Sequence, residues 1–219
     1  ESWQAFADYK DKGGRLCYLG GNGFYWRIAV HPDTTGILEI RRAESGIRVW
    51  ASEPGEYYNA FDGQYGGLWT RNGRPPQQLV GVGFTSQGDF VGSYYRKQSA
   101  AEDPRASWIF KDLTEDILGD FGLSGGGAAG FEVDRAEPRF GTPTNALILA
   151  SSEGHSDHFM PVPEEMMNPI ANLADAPMDE LIRADMVFFE TPSGGAVFSV
   201  GSITFCGSLP YNNFDNNIS

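Results

Sequence analysis

Apolar and polar positions along this chain fall into short blocks, most of them of strand length. Over residues 2–12, Trp3, Phe6, Ala7 and Lys10 recur at helical spacing, and Gly13-Gly14 supplies a stop. Residues 16–19 form an apolar run of the length of a buried strand. It breaks into Gly20-Gly21-Asn22-Gly23, and Phe24, Tyr25 and Trp26 follow at once. Residues 37–42 and 47–50 alternate around Glu44-Ser45-Gly46 and predict a hairpin. Residues 53–78 crowd Gly and Pro with Tyr57, Tyr58, Phe61, Tyr65 and Trp69, the composition of an ordered covering loop rather than a disordered linker. Strands are predicted at 78–84, 146–150, 185–190 and 196–200, the last two joined by a turn at 191–195, and a short helix at 108–118.

Several of these apolar runs end in a Gly- or Ser-rich polar tip, which predicts a mixed α/β sheet whose strand ends share one rim. Ligands in such sheets sit beyond the carboxyl ends of the strands. Three tips carry usable chemistry: Asn22, Glu132, and the group Glu153, His155 and Ser156. An asparagine amide can donate to a developing oxyanion, and a carboxyl beside a glycine turn can act as a base when burial raises its pKa. Each residue has a plainer reading as well. Asn between glycines is a common turn residue, Glu132 alternates with Phe131 and Val133 as a solvent-facing strand residue would, and His155 can be a structural histidine. Gly125–Gly130 lacks the Lys and Ser/Thr of a phosphate loop and reads as a turn. No Gly-x-Ser-x-Gly elbow occurs.

Composition narrows the class further. The 219 residues suit one substantial domain, and 41% hydrophobic with 21% charged residues are values of a soluble globular protein. A net charge of −13, spread along the chain, argues against a nucleic-acid surface. No apolar run reaches the ~20 residues of a membrane span, and no signal-peptide pattern opens the chain. Cys17 and Cys206 both lie in apolar runs and read as buried thiols of a cytoplasmic protein, with a disulfide between them left open. The start at Glu1, already inside a helix, and the polar stop at Ser219 lead us to expect an excerpt of a longer polypeptide.

Long strings then point to a family. Leu-Cys-Tyr-Leu-Gly-Gly-Asn-Gly-Phe-Tyr-Trp at 16–26, Glu-Pro-Gly-Glu-Tyr-Tyr at 53–58, Gly-Gly-Leu-Trp at 66–69 and Gly-Arg-Pro-Pro-Gln at 73–77 resemble the N,N-dimethylformamidase large-subunit family. So do Leu-Val-Gly-Val-Gly-Phe-Thr at 79–85, Gly-Gly-Gly-Ala-Ala-Gly-Phe-Glu at 125–132, Leu-Ala-Ser-Ser-Glu-Gly-His-Ser at 149–156 and Ala-Asp-Met-Val-Phe-Phe-Glu-Thr-Pro at 184–192. The resemblance implies an α/β domain with a class I glutamine-amidotransferase-like (flavodoxin-like) sheet and long loop insertions over residues 1–219. It implies hydrolysis of small N-substituted formamides to an amine and formate. It further implies a mononuclear ferric ion, Fe(III), acting as a Lewis acid on ligands upstream of Glu1, a small partner subunit and homo-oligomerisation. The family's pocket asparagine matches Asn22 and its general-base glutamate matches Glu132. A basic pocket residue falls at Arg42, with Arg41 as the alternative. Phe24, Tyr25 and Trp26 would wall the substrate pocket, with Glu153 and His155 beside it. Two other readings stay open: a non-catalytic scaffold that binds a partner through the 53–69 loop, and a relative acting on a different amide or sugar-derived substrate.

Overall fold

The computed structural model describes residues 2–42, 56–162 and 178–219. Helix α1 (Ser2–Asp11) forms where the helical spacing predicts it and buries Trp3 and Ala7. It leads into β1 (Arg15–Tyr18), an edge strand of the largest sheet. Beside β1 lie, in order, β11 (Ala196–Ser199), β10 (Asp185–Glu190), β8 (Leu147–Glu153), β5 (Tyr94–Lys97) and β6 (Ile117–Leu118). The β1–β11 pair is parallel, and every other pairing in this sheet is antiparallel. A second sheet is built from β7 (Glu132–Arg135), β4 (Gly83–Gln87) and β9 (Met160–Pro161). A ribbon of β2 (Ile28–Val30) and β3 (Leu38–Ile40) turns Ala29 inward and leaves Ile28, Val30, Leu38 and Ile40 exposed. Two short helices, α3 (Met178–Leu181) and α4 (Phe205–Ser208), complete the elements that matter below.

Strand alternation divides the core between the two faces of the large sheet. Val187 and Ile148 pack with Trp3, Ala7, Leu79 and Val80, under α1 and the helix α2 (Pro76–Val80). Met186, Phe188 and Leu149 point the other way, into a cluster with Tyr95, Val133, Val200 and Phe205. Val133 belongs to β7, so this second cluster joins the two sheets. The Tyr95 hydroxyl, fully buried, is satisfied by donating to Val200 O at 2.8 Å.

The β10–β11 hairpin and α1 match their sequence patterns, while other segments differ for identifiable reasons. Residues 78–84 do not form one strand. Pro76 starts α2, where the missing N–H costs nothing, and Gly81 ends it in the left-handed conformation at φ 82°. A Cβ at Gly81 would also come within 2.8 Å of Val187 Cγ2. Only beyond this glycine does β4 begin. Residues 108–118 form successive i→i+3 turns rather than a helix, with Asp112 at φ 70°, and the chain then straightens into β6. β3 pairs with β2, and the expected hairpin partner at 47–50 lies outside the described residues. The expectation of buried thiols is corrected: Cys17 and Cys206 are exposed and unpaired. Cys17 lies on the edge strand β1, along which exposed and partly covered side chains alternate, so its apolar neighbours do not enclose it.

Leu79 is fully buried between α1, α2 and the sheet. Leu79→Ala should cost about 2–5 kcal/mol of unfolding free energy, measured by urea titration.

Candidate active site

The end of β1 and the start of β7 meet at one point. Past Tyr18 the chain turns through Gly20–Gly23, and Asn22 takes a left-handed backbone at φ 59°, which asparagine tolerates better than most residues. The turn lies directly on β7: a Cβ at Gly21 would sit 2.6 Å from Glu132 O and 3.0 Å from Ile203 N. Only glycine fits there. On β7 the strand period turns Val133 into the core and sets Glu132 and Asp134 on the other face, towards the turn.

Four hydrogen bonds lock this junction. Tyr18 Oη donates to Asp134 Oδ2 at 2.9 Å and accepts from Gly23 N at 2.6 Å. The Asn22 backbone N–H donates to Asp134 Oδ1 at 2.8 Å. The Asn22 side chain donates through Nδ2 to Glu132 Oε1 at 3.0 Å. Asn22 Oδ1 is buried and has no partner among the described residues. An acceptor left so costs about 1–3 kcal/mol.

Asp134 is fully buried, and burial pushes its carboxyl up to about 7. The hydrogen bonds from Asn22 and Tyr18 pull the other way, and the nearby Glu132 charge adds to the rise. The Tyr18 phenol is held well above its ordinary value by burial, then by the Asp134 charge. Neither Tyr18 nor Asp134 stands out in the sequence. The one available signal is that Asp134 follows Glu132 by two residues, hence on the same face of a strand.

The other candidates separate. Phe24, at φ 55°, packs edge-on against Phe6 and near Tyr18, fastening α1 to the turn. Tyr25 is buried with Leu68, Phe84 and Val162, and Trp26 packs against the same cluster. Trp26 lies under the Arg42 guanidinium, 5.1 Å from the ring centroid. Arg41 is engaged by Glu39 and Glu56 at 2.5 and 2.6 Å. Arg42 is thus the one joined to an aromatic of the turn.

Glu153 and His155 belong to another place. With Ser152, Asp157, Phe159 and Arg183 they line a cavity of about 660 Å³ whose lining includes neither Asn22 nor Glu132. Ser152 Oγ accepts from Ala184 N and lies 2.6 Å from His155 Nε2. Burial lowers the His155 imidazole to about 4, so it is neutral at pH 7. Glu153 forms an ion pair with Arg96, whose hydrogen bond holds its carboxyl below the ordinary value. Strand β8 runs three residues past the predicted tip, which carries this group away along the large sheet.

A profile of the family described as "N,N-dimethylformamidase beta subunit-like, C-terminal" matches residues 1–216. The chain belongs to this family. It is 40% identical over 218 residues to the N,N-dimethylformamidase beta subunit of Paracoccus aminophilus and 38% identical to that of an Alcaligenes species. Each alignment covers 98% of this chain and 28% of the relative, so the chain spans just over a quarter of their length. Among the described residues no three His, Cys, Asp or Glu side chains are placed to hold a metal ion, and no helix is long and apolar enough to cross a membrane.

The raised Asp134 carboxyl has a signed consequence for this dimethylformamidase-like domain. Between about pH 4 and about 7 the folded chain holds a proton that the unfolded chain, with an ordinary value of 3.8, has released. This group's contribution to stability therefore falls as pH rises through that window and levels off above it. Urea unfolding across pH should show that slope in the wild type and its loss in Asp134→Asn.

Proposed function

We propose that this chain supplies the general base and the amide-holding side chain of a hydrolase acting on small N-substituted formamides. The observation that carries this reading is the 3.0 Å bond from Asn22 Nδ2 to Glu132 Oε1. It joins, across 110 positions of sequence, the two residues that the resemblance pairs as pocket asparagine and base. Family membership, with relatives named as N,N-dimethylformamidase beta subunits, supports the substrate class.

In this mechanism Glu132 takes a proton from water as the water oxygen bonds to the formyl carbon. The carbonyl π pair moves onto the amide oxygen. An amide side chain has two N–H donors; Glu132 uses one, and the second stabilises that oxygen. Collapse of the tetrahedral intermediate breaks the C–N bond, and the proton held on Glu132 goes to the leaving amine. One amide and one water give one amine and one formic acid. Trp26, with Arg42 over its ring, gives an apolar surface edged by a cation for the N-alkyl groups.

The described residues do not themselves fit a metal. Both Asp134 oxygens are taken by Tyr18 and the Asn22 N–H, and Glu132 Oε1 by the Asn22 amide. We therefore assign the iron implied by the family to residues outside this chain and route no step through it. The relatives' designation as beta subunits supports assembly with a second kind of subunit, and the free Cys17 and Cys206 support a cytoplasmic location.

The test is amine release from N,N-dimethylformamide by the full-length protein. Glu132→Gln should lower kcat by about 10²-fold or more, and Asn22→Ala by about 10²–10³-fold. Turnover by Glu132→Gln at the wild-type rate would overturn the assignment of the base.

A further inference from the structure

The Tyr18–Asp134 pair has no part in the proton transfers above, yet the residues that do are held by it. Asp134 Oδ1 receives the N–H of Asn22 itself, and Asp134 Oδ2 receives the hydroxyl that in turn accepts from Gly23 N. Both flanks of the left-handed Asn22 turn are thus fixed from one buried carboxyl. The same carboxyl shares a strand face with Glu132, two residues away, with Cα atoms about 6.6 Å apart.

We propose that Asp134 is a positioning residue for this site: through Tyr18 and the Asn22 N–H it holds the turn so that the Asn22 amide is aimed at Glu132. The proposal rests on the reading of Glu132 as general base.

The groups packed around Asp134 are engaged with partners of their own. Tyr18 comes from β1, Glu132 from the same strand and Tyr95 from β5, while β4 places Phe84 opposite Asp134. Asp185, from β10, is compensated by Arg183, Ser151 and the Ala136 N–H. Arg135, next along β7, is directed to Leu181 O and Glu137.

The experiment compares full-length wild type, Asp134→Ala, Asp134→Asn and Tyr18→Phe. Asp134→Ala, which removes both acceptor oxygens, should lower kcat for N,N-dimethylformamide by about tenfold or more with KM within about twofold of wild type, and Asp134→Asn, which keeps one acceptor oxygen, should recover part of that loss. Tyr18→Phe, which removes the partner of the Gly23 N–H, should lower kcat by less. In hydrogen exchange the Asn22 amide should lose protection in Asp134→Ala. An unchanged kcat and an unchanged Asn22 amide in a folded Asp134→Ala would overturn the proposal while leaving the base assignment intact. Should Asp134→Ala fail to fold, the same result in Asp134→Asn and Tyr18→Phe would overturn it equally. Absence of formamide hydrolysis in the wild type would instead sink the proposed function, and protection of the Asn22 amide would still decide whether Asp134 holds the turn.

Discussion

One buried carboxyl holds this domain's two main sheets in register at their most chemically equipped point. β1 lies in the large sheet and β7 in the small one, and Asp134 receives hydrogen bonds from Tyr18 and from the turn that follows β1. Backbone pairing reinforces the junction, since Asp134 N–H donates to Gly201 O and Ile203 N–H to Glu132 O. Burying a carboxylate is costly, and its hydrogen bonds offset that cost without converting it into a large net gain. What the arrangement secures is conformation. The left-handed Asn22 is held by its own N–H on Asp134 and by its side chain on Glu132, and Gly23 beside it by Tyr18.

Local pattern makes much of the frame legible. α1, β1, β8, β10 and β11 all follow from spacing and strand-length apolar runs, and the turn at 191–195 from its Gly and Pro. Asn22 and Glu132 are visible as polar tips beside glycines. The rest depends on distant partners. Nothing near Gln78 announces that Gly81 must yield to Val187, so α2 and β4 read as one strand. Tyr18 and Asp134 are separated by 116 residues, and neither sits in a pattern that distinguishes it from ordinary strand residues. Cys17 shows the reverse error, in which apolar neighbours along the chain are not apolar neighbours in space.

The polar tips also do not converge on one rim. Asn22 and Glu132 meet, whereas Glu153 and His155 line a cavity reached along β8, with a neutral imidazole against Ser152. The reason is that β8 continues through Ser151 and Ser152, each making strand pairs with β5, instead of ending at Ala150. A polar residue after an apolar run marks the end of burial, which is not always the end of the strand.

Two acidic side chains, two residues apart on β7, face the Asn22 turn in a chain of net charge −13. An uncharged amide can approach such a surface without electrostatic penalty. In the hydrolysis proposed above, the formate left once the formic acid has shed its proton would carry the same sign of charge as the chain as a whole, so the domain's acidity would favour its departure.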